Sequence, residues 1–265
     1  QPFHRYARRA TSKVTTMEID APVMIVTGAS RGIGAATARR AAARGYRVCV
    51  NYRVSDSGAE RVVAEIRAAD GVAFAVRADI GNANEVRALF DAAEAELGPL
   101  AALVNNAGVA GGRRPFADLD DQTLETILAV NVGGTILCAR EAARRMARSA
   151  GRDGGVIINL SSQAAQFGGN HLAAYAASKG AVVSLTIGLA KELAAEGIRV
   201  NAVSPGIIEP DPKDGKLAGE TDARAGLVPL GRAGSANEVA DAILWLASAE
   251  ASYITGAILP VAGGR

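Results

Sequence analysis

The stretch Val23-Met24-Ile25-Val26-Thr27-Gly28-Ala29-Ser30-Arg31-Gly32-Ile33-Gly34 decides the fold. Four apolar residues, three of them β-branched, run straight into a loop carrying three glycines, and an Ala-rich amphipathic pattern follows. The run is too short for a helix and apolar on both faces, as a strand covered on both sides must be. The glycines permit a tight turn and close backbone approach, and a helix starting near Ile33 aims its amide ends at a phosphate. The spacing, Gly-x₃-Gly-x-Gly, departs from the commoner G-x-G-x-x-G fingerprint. A purely structural turn is the competing reading. The strand before it and the helix after it favour a dinucleotide phosphate held by Gly28, Ser30, Arg31, Gly32, Ile33 and Gly34.

The same alternation continues to the C-terminus. Short apolar runs at 22–28, 46–52, 72–79, 100–105, 155–161, 198–204 and 257–262 are separated by helical patterns near 32–44, 57–69, 83–97, 121–148, 171–196 and 237–248. Such alternation means parallel strands joined by right-handed crossovers. The expected fold is α/β: a single doubly wound Rossmann-type domain over 22–265, with a parallel sheet of about seven strands flanked by helices. Ligands in such sheets lie beyond the carboxyl ends of the strands, so the loops after each strand carry the chemistry.

Composition narrows the class further. The chain has 265 residues, 49% hydrophobic and 21% charged, which suits a folded domain rather than a disordered one. Two cysteines, Cys49 and Cys138, stand far apart in apolar runs, and with only two histidines no zinc or disulfide pattern is available. No metal site is expected. No 18-residue stretch is uninterruptedly apolar, so no membrane span is expected and the predicted location is the cytoplasm.

The formal charge of +2 conceals a division. Arg5, Arg8, Arg9 and Lys13 lie in residues 1–16, which hold no acid. Removing those four from the 29 Lys and Arg leaves 25 basic against 27 acidic residues, so the body is mildly acidic. That argues against nucleic-acid binding. Residues 1–21 are expected to be a disordered basic extension with no part in the chemistry.

The strand-end loops supply the remaining candidates. A carboxylate at the end of the second strand favours a free ribose 2′-hydroxyl. Here that end reads Asn51-Tyr52-Arg53, and Arg53 with Arg31 can clasp a 2′-phosphate, so NADP(H) is expected over NAD(H). Asp79, followed by Ile80, can accept from an adenine amino group or cap the helix near Asn82. Asn106, Ala107 and Gly108 offer a small-residue turn against which a flat cofactor can lie.

Tyr175-Ala176-Ala177-Ser178-Lys179 places a phenol and an ammonium on one helix face. A free phenol, with a pKa near 10, is a poor base, and a neighbouring cation lowers that value toward use in proton exchange. Ser162 stands thirteen residues upstream, at a strand end. Asn131 sits inside an expected helix, where an amide is a mild misfit. His171, Cys138, Arg113 and Arg114 are read as, respectively, a solvated first-turn histidine, core packing and a solvated loop pair.

In this order and spacing, the glycine loop, Asn105-Asn106-Ala107-Gly108, Asn131, Ser162 and Tyr175-x₃-Lys179 resemble the short-chain dehydrogenase/reductase family. Pro205-Gly206 and the ending Thr255-Gly256 with Gly263-Gly264 resemble it too, and the likeness is nearest to glucose 1-dehydrogenase and 3-oxoacyl-carrier-protein reductase types. The resemblance implies Tyr175 as general acid/base, with Lys179 lowering its pKa and bonding the nicotinamide ribose. It implies that Ser162 steadies the reacting oxygen and that Asn131 holds a relay water. Ile208, after Pro205 and Gly206, would meet the carboxamide, and Asn106 and Gly108 would flank the adenosine ribose. Pro210 stands where the family often has Thr. The implied function is hydride transfer between NADP(H) and a small-molecule carbonyl or alcohol. A catalytically silent NADP(H)-binding sensor is the alternative. The resemblance also implies a homotetramer, with helices 121–148 and 171–196 pairing across a two-fold axis. Residues 207–226 are expected to form a substrate lid.

Overall fold

The computed structural model describes residues 21–210 and 226–265. The expected basic extension and most of the expected lid, residues 211–225, lie outside the described residues.

Seven strands form one sheet: β1 (Val23–Val26), β2 (Arg47–Tyr52), β3 (Ala73–Arg77), β4 (Leu100–Asn105), β5 (Gly155–Leu160), β6 (Ile198–Pro205) and β7 (Ile258–Val261). Their order is β3-β2-β1-β4-β5-β6-β7 and every pairing is parallel. The sequence therefore winds outward in both directions from β1. A crevice opens between the loops after β1 and β4, where the crossover connections part to opposite faces.

Helices cover both faces, as the two-sided apolar strands require. On one face α1 (Gly32–Ala43), α2 (Asp56–Ala68) and the last long helix, Ala236–Ala247, bury Ala35, Ala38, Val62, Ile66, Ile243 and Leu244 against Met24, Val26, Val48 and Val50. On the other face α3 (Ala83–Leu97) and α5 (Thr135–Met146) bury Leu89, Phe90, Cys138 and Met146 against Ile25, Cys49 and Leu103. Both cysteines are free and buried. The α3 helix is capped by Asn82, whose side chain accepts from the amides of Asn84 and Glu85. The Asp79 carboxylate does not reach that helix; it accepts from the Gly81 amide at 2.9 Å.

The expected helix over 121–148 is broken. An α-helical segment, α4 (Asp121–Ile127), passes into a π-helical turn over Leu128–Gly134 before α5 begins. Asn131 sits in that turn with its side chain tied to the backbone of Val109, and π-turns recur at functional sites.

After the short α6 (Ala164–Phe167), the helix α7 runs from Ala173 to Leu193. It starts later than the pattern suggested because His171 adopts φ +60°, which a helix cannot contain. By length and hydropathy alone, residues 173–196 are long and apolar enough to cross a membrane. In the fold, this helix buries Ala176, Ser178, Lys179 and Val182 and forms the inner wall of the crevice.

Candidate active site

The loop after β1 forms the first wall of the crevice. Gly28 has φ +62°, and a Cβ there would lie 2.8 Å from Ala107 Cα, so neither the backbone shape nor the space admits a side chain. Thr27 straps this loop to the one after β4: its hydroxyl accepts from the amides of Asn106 and Ala107, each at 3.0 Å. Asn106 completes the strap by donating from its side-chain amide to the carbonyls of Thr27 (2.8 Å) and Gly28 (3.0 Å). No side chain caps the start of α1, and its first turn contains no acid. Its free amide ends suit an anion, so this end of the crevice fits a dinucleotide pyrophosphate.

A cavity of about 520 Å³ runs along this wall. Gly28, Ser30, Arg31, Gly32 and Ile33 line one side, Asn51, Arg53, Asp79 and Ile80 the outer end, and Asn106, Ala107 and Gly108 the inner end. Gly34 and Tyr52, both expected to touch the cofactor, do not line it. Gly34 is packed against Asn106 beneath the loop. Tyr52 is only 9% exposed, with its ring in the α1/α2 core and its hydroxyl donating to Asp56. Asn51 lines the cavity but is occupied: it accepts from the Gly28 amide at 3.2 Å and donates to the Ala78 carbonyl at 3.1 Å. Arg53 forms an ion pair with Asp79 at 3.2 Å, with half of its side chain exposed.

A second cavity, of about 410 Å³, continues the first and shares Ile33, Asn106, Gly108 and Val109 with it. Ser162, Tyr175 and Lys179 line it, together with Pro205, Gly206 and Ile208. Strand β5 ends just before Ser162, and α7 presents Tyr175 and Lys179 one turn apart. The Lys179 ammonium donates to the Leu160 carbonyl at 2.7 Å and lies 5.9 Å from the centroid of the Tyr175 ring. Burial pushes the lysine pKa down to about 8.

The phenol behaves differently from the expectation that its neighbouring cation would lower its pKa. Burial raises the Tyr175 pKa, and a hydrogen bond with Ser162 offsets part of that rise. The ammonium donates to the Leu160 carbonyl and lies over the ring, and burial outweighs its charge in setting the phenol's pKa.

Asn131 is fully buried, and its side-chain amide makes three hydrogen bonds within the protein. It accepts from the Val109 amide at 2.8 Å and donates to the Val109 carbonyl and the Ser178 hydroxyl, each at 2.9 Å. Ser178 in turn donates to the Tyr175 carbonyl at 2.7 Å. Asn131 thus reaches the tyrosine through Ser178, a link the sequence reading missed, although Ser178 lies within the Tyr-x₃-Lys motif itself. Gly108 closes the floor, since a Cβ there would lie 3.3 Å from both Asn131 Oδ1 and Lys179 Nζ. Among the described residues, no cluster of His, Cys, Asp and Glu could hold a metal ion.

The fold and these cavities define a dinucleotide-crevice protein with a Ser-Tyr-Lys group at the end of the crevice. Residues 28–265 match the family model described as enoyl-(acyl carrier protein) reductase. The chain is 45% identical to the Escherichia coli (strain K12) oxidoreductase YgfF, over 92% of this chain and 99% of that protein. It is 39% identical to the 3-oxoacyl-[acyl-carrier-protein] reductase FabG of Staphylococcus aureus, over 91% and 96% respectively. A solved mutant of a Serratia marcescens short-chain dehydrogenase/reductase superposes with a TM-score of 0.83 at 38% identity, covering 92% of this chain and 97% of that one. The chain belongs to the short-chain dehydrogenase/reductase family and is an oxidoreductase.

Proposed function

We propose that the chain transfers a hydride between NADP(H) and a small carbonyl or alcohol substrate, with Tyr175 as the general acid/base. The observation that carries this reading is the position of Tyr175: half-buried, hydrogen-bonded to Ser162, and at the end of a continuous crevice that begins at the glycine loop. The nicotinamide cofactor supplies or accepts the hydride at the substrate carbon. Tyr175 gives the matching proton to the substrate oxygen, or takes it in the reverse direction, so charge balances across the step. Ser162 steadies that oxygen and Lys179 holds the ribose end. Asn131 acts as a positioning residue through Ser178 and supports a relay water. In the crevice, Asn106 and Gly108 flank the adenosine ribose, and Ile208 meets the carboxamide.

NADP(H) is favoured because Arg31 and Arg53 stand at the adenosine end, where a 2′-phosphate needs charged donors. That phosphate competes with Asp79 for Arg53. The proposed assembly is a homotetramer, supported by exposed Leu128, Ile136 and Ile187 on the π turn, α5 and α7. Two free buried thiols fit the reducing cytoplasm. The test is oxidation of NADPH and NADH by the purified chain over a panel of ketones, quinones, 3-oxoacyl thioesters and sugars. NADPH-dependent turnover that vanishes in Tyr175→Phe is expected, and binding of cofactor without turnover of any substrate would contradict the proposal.

A further inference from the structure

A third cavity, of about 270 Å³, opens on the far side of Tyr175 from the glycine loop. It shares Tyr175 and Ala110 with the reacting cleft and no residue with the glycine-loop cavity, so it lies on the substrate side of the phenol. Its walls are the loop before α4 and the residues leading into α7. Phe116, Leu119, Ile127 and Leu172 make it largely apolar, and Phe116 stands at its lip 73% exposed. An exposed aromatic ring beside a catalytic group is a surface in need of an apolar ligand.

The two walls are joined. The Arg114 amide donates to the His171 carbonyl at 3.2 Å, and Arg113 donates from its guanidinium to the Asn170 carbonyl at 2.8 Å. His171 holds φ +60°, a conformation that a non-glycine residue keeps only where its surroundings enforce it. The cavity is therefore shaped before substrate arrives. The arginine that lines it is also engaged. The Arg114 guanidinium is committed to the Asp120 carboxylate and, at 2.7 Å, to the Gly111 carbonyl, rather than solvated as the sequence suggested. A substrate carboxylate entering here would have to displace Asp120.

We propose that this cavity receives a compact, uncharged, apolar substituent of the substrate, a ring or branched alkyl group attached to the reacting carbonyl carbon. Phe116 and Leu119 are then specificity-determining residues. The assignment rests on the proposed reduction of a carbonyl at Tyr175, and the experiment separates the two.

The probes are acetophenone, butanone and the anionic benzoylformate, each reduced with NADPH and with NADH. The kcat/KM for acetophenone is expected to exceed those for butanone and benzoylformate by about tenfold, the size of a ring-sized gain in apolar burial. Phe116→Ala and Leu119→Asp should each cut that preference at least to about half its logarithm, whereas Phe167→Ala, an exposed aromatic outside the cavity, should leave it unchanged. Equal kcat/KM values, a preference for benzoylformate, or a preference insensitive to both pocket variants would overturn the proposal. If none of the ketones is reduced, turnover over the wider panel of quinones, 3-oxoacyl thioesters and sugars decides the hydride-transfer reading separately. Calorimetric binding of 1-phenylethanol to the chain with NADP⁺ then decides the pocket: weakening in Phe116→Ala supports it, and no binding overturns it.

Discussion

The ammonium of Lys179 is bonded to the Leu160 carbonyl at 2.7 Å and lies 5.9 Å from the centroid of the Tyr175 ring. The lysine thus sits beneath the phenol as a buried cation held by one strand-end carbonyl. Buried charges of this kind are retained for chemistry more often than for stability.

A stability measurement follows from that burial. The Lys179 pKa falls from the ordinary 10.5 to about 8 on folding. Between those values the unfolded chain binds the proton that the folded chain has released, so raising the pH through that window favours the folded state. The urea midpoint of the wild type should therefore rise relative to that of Lys179→Met between pH 8 and pH 10. A difference that stays flat over that range would contradict a buried ammonium.

Asn131→Ala should destabilise the fold as well as slow turnover. It leaves the Val109 amide and carbonyl without their partner inside the protein, and the Ser178 hydroxyl with only its bond to the Tyr175 carbonyl. Buried polar groups left unpaired cost about 1–3 kcal/mol each, so a loss of about 2–4 kcal/mol is expected in urea unfolding. A variant as stable as the wild type would mean that the π turn holds its shape without the Val109 tie.

The cofactor preference should reside largely in Arg53. With one substrate, kcat/KM for NADPH should exceed that for NADH by about tenfold, in keeping with exposed charge contacts of ~1–2 kcal/mol. Arg53→Ala should erase most of that difference, and Asp79→Asn should leave Arg53 free for the phosphate and preserve it. Equal values for both cofactors in the wild type would show that Arg31 and Arg53 do not hold a 2′-phosphate.

Light scattering at micromolar concentration should report a tetramer. The apolar side chains that α5 and α7 leave uncovered, Ile136 and Ile187 among them, need a partner surface. A monomer would contradict the assembly.

The strand and helix succession was legible because both-face apolar runs and amphipathic stretches have distinct periods. What escaped the sequence depends on contacts between distant segments. The break at Leu128–Gly134 follows from bonds between Asn131 and Val109, 22 residues apart, which leave no mark on local periodicity. The packing of the Tyr52 ring was not legible because a strand buried on both faces carries no inside–outside signal: Val50 and Tyr52 face one core while Cys49 faces the other. The glycine loop and the Ser-Tyr-Lys group were legible because backbone shape and proton chemistry restrict the residue types there. The pocket walls around Phe116 and His171 are irregular loops, joined only in three dimensions.

The most direct test of the central claim is single-turnover hydride transfer in Tyr175→Phe. The substitution keeps the ring and its packing and removes only the hydroxyl to which the proposal assigns the proton exchange. A general acid/base group contributes ~10²–10⁴-fold, so the rate should fall by that factor while NADPH affinity is unchanged. Retention of more than about a tenth of the wild-type rate, with chemistry limiting, would contradict the assignment of Tyr175.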